Sequence, residues 1–195
     1  MGYAIAEEAL EAGHEVILIS GPVNLGPPRR AKLVSVSTSD EMFDAVHLHA
    51  DQSDVCILCA AVADYKPAKV SPVKIKQRAG NFSLELVPTR DILDSLGQRQ
   101  NRRFLLIGFA AETNDVEQNA LQKLRAKNCD IMVANDVRLG MESDENELII
   151  LFRDGEMRKI SRASKQILAR ELVNLFLEFA TKTFDKKNEA ITERN

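Results

Sequence analysis

Residues 1–22 read MGYAIAEEALEAGHEVILISGP, and the fold class turns on how they are read. Gly2 to Gly13 has the pattern of a short amphipathic helix, and His14 to Ser20 that of a buried strand. Helix followed by strand is the second half of a βαβ unit. In such units the turn between the first strand and the helix, together with the helix N-terminus, is where a phosphate is held. The stretch therefore opens inside what would be a phosphate site, with the first strand and its glycine turn not represented. This predicts a central sheet position without its strand, flanked by the strands ending at Ser20 and Ala61.

Outward from this stretch the alternation continues. GPVNLGPPRRA (21–31) is a Gly/Pro loop and KLVSVS (32–37) a short strand. A helix follows from about Ser39, with Thr38 and Glu41 at capping-box spacing. DVCILCAAV (54–62) is apolar throughout, as a parallel strand buried on both faces would be. Residues 64–81, with Pro67, Pro72 and Gly80, read as irregular, and FSLELV (82–87) as a half-exposed strand. RDILDSLGQR (90–99) is a short helix and RFLLIGFAAE (103–112) a buried strand. Asn114 is the expected cap of a helix to about Asn128, with Glu117 at the box position. DIMVAND (130–136) is a third buried strand, and ELIILFRDGEMRKISR (147–162) a hairpin turning at Asp154-Gly155. A long amphipathic helix from Ser161 to about Phe184 closes the domain. The whole is an α/β chain with a Rossmann-like, doubly wound, mostly parallel sheet. It forms one domain over 1–184, followed by a frayed polar tail at 185–195.

Composition excludes several classes of function. The 26 basic and 29 acidic residues give a net charge of −3, which argues against nucleic acid as a partner. No apolar run approaches the roughly 18 residues of a membrane span, and no charged start precedes an apolar signal core. Three cysteines, an odd number, fit a reducing cytosol and a cytoplasmic protein. Cys56 and Cys59 form a C-x-x-C, but on a strand they point to opposite faces and read as core thiols. His47 and His49 cannot share one helix face, and His14 stands alone, so no metal site of protein nitrogen or sulfur is expected.

The chemistry gathers where three buried strands end, in AAVADYKP, GFAAET and VANDV. Ala60-Ala61 and Ala110-Ala111 leave room for a ligand at the backbone, and Asp64, Glu112, Asn135 and Asp136 would line one rim. Each end alone is an ordinary strand-to-loop transition; three together point to a site in the crevice beyond the strands' C-terminal ends. Lys74 and Lys76 would share one side of an extended loop, and Lys123 and Lys127 one face of a helix. Such lysines form either a solvated basic surface or a site for an ion with several negative charges, such as a triphosphate. Tyr65 and Lys69 have the spacing of a short-chain dehydrogenase pair, but Pro67 separates them and no G-x-G-x-x-G is present.

Taken together, AAVADYKP, KIK, GFAAET and VANDV resemble phosphopantothenoylcysteine synthetase, the CTP-dependent ligase of coenzyme A synthesis, often fused to a flavoprotein decarboxylase. MGYAIAEEALEAGHEVILISGPV resembles the stretch after that family's Ser-Ser-Gly phosphate loop, and the likeness runs to the end of the final helix. The resemblance implies that the carboxylate of 4′-phosphopantothenate attacks the α-phosphate of CTP, and that cysteine then displaces CMP from the acyl-cytidylate. It implies Mg²⁺ with the nucleotide and a homodimer, joined near 66–87 or through the hairpin at 147–160. By resemblance the CTP site comprises Leu58, Cys59, Ala60, Asp64, Lys74, Arg90, Asp91, Ile92, Leu93, Phe109, Lys123 and Lys127. Lys74 is the implied catalytic residue, and Ala60, Ala61 and Asp64 match phosphopantothenate contacts. Asn135 and Asp136 match a strand end on the site rim, and GMESDENE (140–147) a flap. Thr89-Arg90-Asp91-Ile92 stands where the family commonly has Asn-Pro-Asp-Ile, and Gln77 where it often has a lysine. The family's Asn and Arg just before the phosphate loop have no counterpart in this sequence. Two other readings stand beside the ligase: a non-catalytic remnant of the fold that pairs with a partner subunit, and a nicotinamide-dependent oxidoreductase.

Overall fold

The computed structural model describes residues 1–76, 80–136 and 145–192, with side chains described through residue 185. The helices are α1 (Gly2–Glu11), α2 (Ser39–Ala50), α3 (Ile92–Gly97), α4 (Val116–Ala126) and α5 (Lys165–Thr192). The strands are β1 (Ile17–Ser20), β2 (Lys32–Ser35), β3 (Val55–Leu58), β4 (Tyr65–Pro67), β5 (Leu86–Pro88), β6 (Leu105–Glu112), β7 (Ile131–Asp136), β8 (Glu145–Phe152) and β9 (Met157–Ser164).

The main sheet has the order β3-β6-β7-β8-β9. Strands β3, β6 and β7 are parallel, and the β8–β9 hairpin extends the sheet antiparallel to β7. Strands β1 and β2 form a separate parallel pair. The sheet is therefore interrupted between β1 and β3, at the position predicted to lie without its strand. This corrects the burial expected for β3. Val55–Leu58 are half-buried rather than enclosed, because β3 pairs with β6 on one side and is an edge on the other.

Alternation of side chains across the sheet builds two cores. On one face Ile107, Ile131, Val133, Leu148, Ile150 and Phe152 pack against α5 (Leu168, Leu172, Phe176) and Ile5 of α1. On the other, Leu106, Ala110, Met132, Ala134 and Leu151 meet Ala50 of α2, Ile92 and Leu96 of α3, and Ala120 and Leu124 of α4. Each fully buried Leu or Ile contributes about 1.5–3 kcal/mol.

Local differences have local causes. The Thr38 hydroxyl accepts from the Glu41 amide at 3.1 Å, and the Glu41 carboxylate accepts from the Thr38 amide at 3.3 Å, so the predicted capping box forms. At α4 the cap position is Asp115 rather than Asn114; Asp115 is left-handed at φ 45° and makes no side-chain cap bond. Glu117, expected in that box, instead pairs with Lys159 of β9 at 2.6 Å. The stretch predicted irregular contains β4, and of the predicted 82–87 strand only Leu86 and Val87, with Pro88 just beyond it, pair with β4. Strand β9 runs on to Ser164, so α5 begins at Lys165 and continues through the predicted tail to Thr192.

Candidate functional site

Parallel register places the three predicted strand ends side by side. Leu58 lies opposite Gly108, Ala111 opposite Asn135, and Glu112 opposite Asp136. The strand ends thus form one rim, as the crevice rule requires. Ala60, Ala61 and Asp64 are exposed just beyond β3. The turn after them is held by Thr89, whose amide donates to the Asp64 carbonyl at 2.8 Å and whose hydroxyl donates to the Ala63 carbonyl at 2.7 Å. Helix α1 begins at the same place: a Cβ added to Gly2, its first residue, would stand 2.7 Å from Cys59 Sγ.

Helix α3 is seated on the rim by close approach to β6. A side chain at Gly108 would fall 2.9 Å from Leu93 Cδ2 and 3.0 Å from Met132 Cε, so glycine leaves the space Leu93 occupies. Asp91 caps α3, accepting from the Asp94 amide at 2.8 Å. Phe109 on β6 is half-buried and packs toward the α1/α5 core.

The helical lysines reach the rim already paired. Lys123 Nζ stands 2.6 Å from Glu112 Oε1, a carboxylate with 12% of its side chain exposed. Lys127 Nζ lies 3.0 Å from Asp91 Oδ2 and 3.5 Å from Asp94 Oδ1. Burial pushes the Asp91 carboxyl up, but the Asp94 amide and Lys127 outweigh it and hold it below its usual value. The Asp91 hydrogen bond raises Lys127 above the ordinary lysine value. The lysines thus face carboxylates, and a polyanion would have to take them over. Lys74 and Lys76 are exposed and lie outside any ladder, on the arm formed by β4, β5 and the loop between them. Lys74 makes no hydrogen bond or ion pair among the described residues. Gln77 and the Gly140–Asp144 part of the predicted flap lie outside the described residues.

Arg90 is bound to α2. Its Nε donates to Asp40 Oδ1 at 3.2 Å, Nη2 stands 2.9 Å from Asp44 Oδ1, and the guanidinium lies 3.9 Å over the Phe43 ring. Asp40 also pairs with Lys66 of β4. The Lys66 hydrogen bond foremost, with Arg90, holds the Asp40 carboxyl below its usual value. Sequence reasoning missed Asp40 and Lys66. Lys66 lies within the quoted AAVADYKP, but its partner is 26 residues upstream and no local pattern joins them.

Phe43 stacks on His47 at 3.9 Å. Nδ1 of His47 donates to the Phe43 carbonyl at 2.9 Å, so in the neutral ring Nε2 accepts from the Ser95 hydroxyl at 2.9 Å. Burial lowers the His47 pKa below 6.5 despite the Phe43 bond. The folded state therefore disfavours the charged ring. Its stability contribution is complete above about pH 6.5 and is lost as pH falls through that value toward the folded pKa. Tm measured from pH 8 to 5.5 should fall more steeply in the wild type than in His47→Gln; parallel curves would contradict this.

The cysteines are free thiols, and burial pushes Cys56 and Cys129 up to about 12 and raises Cys59. Tyr65 is in β4, with Lys69 in the bend that follows, so no helix brings them together and the dehydrogenase pair is not formed. No described helix is long and apolar enough to cross a membrane.

Residues 1–179 match the family model for the DNA/pantothenate metabolism flavoprotein C-terminal domain. The chain is 42% identical over 190 residues to the coenzyme A biosynthesis bifunctional protein CoaBC of Bacillus subtilis, covering 95% of this chain and 47% of that protein. The chain spans about half the length of the curated relatives it matches. A crystal structure of the C-terminal domain of a CoaBC protein superimposes with a TM-score of 0.77 at 39% identity, covering 94% of this chain and 82% of the other. The same fold recurs, at 15% identity and a TM-score of 0.76, in a Cab2 mutant bound to phosphopantothenate-cysteine; the match covers 95% of this chain and 79% of that one.

Proposed function

This chain belongs to the family of DNA/pantothenate metabolism flavoprotein C-terminal domains, and from that premise we propose that it joins 4′-phosphopantothenate to cysteine at the expense of CTP. The observation that carries this reading is the single rim where three parallel strand ends meet the α3 cap and two paired lysines.

The reaction has two displacements. A carboxylate oxygen of phosphopantothenate bonds to the α-phosphorus, and pyrophosphate leaves. The cysteine amine then bonds to the acyl carbon, CMP leaves, and the amine loses a proton. Both steps depend on positioning and on neutralising phosphate charge. Leu58–Ala61, Asp64 and the Arg90–Leu93 segment line the nucleotide and acyl positions, with Phe109 on the neighbouring strand. Arg90 is already committed to Asp40 and Asp44, so that segment serves the nucleotide chiefly through its backbone. Lys123 and Lys127 exchange their carboxylates for phosphate oxygens, and Lys74, which has no partner among the described residues, brings its ammonium to the reacting phosphate. Mg²⁺ would come with the triphosphate, as MgCTP, neutralising part of its charge.

Val70, Val73, Ile75, Phe82 and Leu84 are exposed together on the arm. Such a patch supports pairing of two copies through residues 66–87. The bifunctional relatives support association with a flavoprotein decarboxylase domain, and the chemistry suits a cytoplasmic setting.

The chain given MgCTP, phosphopantothenate and cysteine should release pyrophosphate, and Lys74→Gln should lower kcat about 100-fold. Nicotinamide dinucleotide binding without CTP binding would replace the ligase with an oxidoreductase. Unchanged activity in Lys74→Gln would remove Lys74 from the mechanism.

A further inference from the structure

We propose that Asp40 is a positioning residue of this site, tying the arm that carries Lys74 to the loop that enters α3. Its Oδ2 pairs with Lys66 Nζ on β4, its Oδ1 accepts from Arg90 Nε at 3.2 Å, and its main-chain carbonyl accepts from Arg90 Nη2 at 3.1 Å. One turn further along α2, Asp44 takes Arg90 Nη2 at 2.9 Å, with Phe43 beneath the guanidinium. A single turn of α2 thus holds both the arm and the loop.

The arm has little else to fix its direction. The β4–β5 ladder is internal to it, and Thr89 anchors only its base, at Ala63 and Asp64. Its large apolar side chains, Val70, Val73, Ile75, Phe82 and Leu84, are exposed within the single chain, so they leave its direction relative to α2 to the Lys66–Asp40 contact. Among the described residues, Lys66–Asp40 is the one hydrogen bond or ion pair between residues 65–88 and α2. The carboxylate also separates two cations. With an amide in its place, Lys66 and Arg90 would repel each other across the joint.

The tether stands on geometry alone; its effect on catalysis rests on the ligase reading. Hydrogen exchange on the full chain should run about threefold to tenfold faster in Asp40→Asn for peptides covering 63–76 and 80–91, with β7 and α4 unchanged. Lys66→Met should match it over residues 63–76, where the double variant should add nothing further, and should fall short of it over 80–91, where Arg90 keeps the Asp40 carboxylate. In turnover, Asp40→Asn should lower kcat about tenfold or more, and should have no further effect in a Lys74→Gln background. Unchanged arm exchange overturns the tether. Faster exchange with unaltered kcat, or full additivity with Lys74→Gln, overturns the positioning role. If the wild type releases no pyrophosphate, the ligase reading falls while the exchange result still decides the tether.

Discussion

Gly97→Ala should cost about 3 kcal/mol or more, lowering Tm by about 6–12 °C. Gly97 ends α3 and is buried, and a Cβ there would stand 1.9 Å from the Lys127 carbonyl oxygen and 2.9 Å from its carbon. The obstruction is backbone, so no rotamer change relieves it. The contact is also tied by Asn128, whose Nδ2 donates to the Gly97 carbonyl at 2.6 Å from a left-handed residue at φ 50°. Helix α3 must shift, and Asp91 and Asp94 shift away from Lys127 with it. Nucleotide binding should weaken together with stability. Thermal melting checks the first and CTP titration the second. A Tm within about 2 °C of the wild type would mean that α3 is not held against the α4–β7 turn as described.

Asp130→Ala should be comparably damaging, at about 3–5 kcal/mol. Arg102 and Asp130 are 9% and 15% exposed at the side chain, with Nη2 to Oδ2 at 2.5 Å. Oδ2 also accepts from the Leu106 amide at 2.8 Å, and Arg153 Nη2 lies 3.5 Å from Oδ1. Alanine leaves a buried guanidinium and a strand amide without their acceptor, which costs more than the pair itself contributes. Asp130→Asn retains an acceptor for Leu106 and should fall between alanine and the wild type. Denaturant unfolding of the three proteins checks the order; equal midpoints would contradict it. The pair lies at the N-terminal ends of β6 and β7, opposite the rim, so the loss should be in stability first.

Much of this arrangement was legible in the sequence because it rests on local physics. Runs such as RFLLIGFAAE and DIMVAND are long enough and apolar enough to be buried strands in almost any context. The Thr38–Glu41 box needs partners three residues apart, so spacing alone found it. The interruption beside β3 followed from a βαβ unit read from its middle. Asn114 failed as a cap because a tertiary contact outbid a local one: Glu117 found Lys159 on a distant strand, and Asp115 turned left-handed. The lysine pair on α4 was recognised, yet its carboxylate partners were not. Glu112 and Asp91 come from separate elements that only folding brings to the same helix face.

Sequence by itself determined the class of fold, the strand ends on which the site is built and the family to which they belong. Those follow from periodicity and from short motifs, which are properties of neighbouring residues. Tertiary structure decided which charges are spent and which are available. It paired Lys123 and Lys127 with carboxylates, committed Arg90 to α2, exposed Lys74 on an arm, and made Asp40 the joint between them. An ion pair depends on distance in space, and a chain records that distance only after its elements have packed.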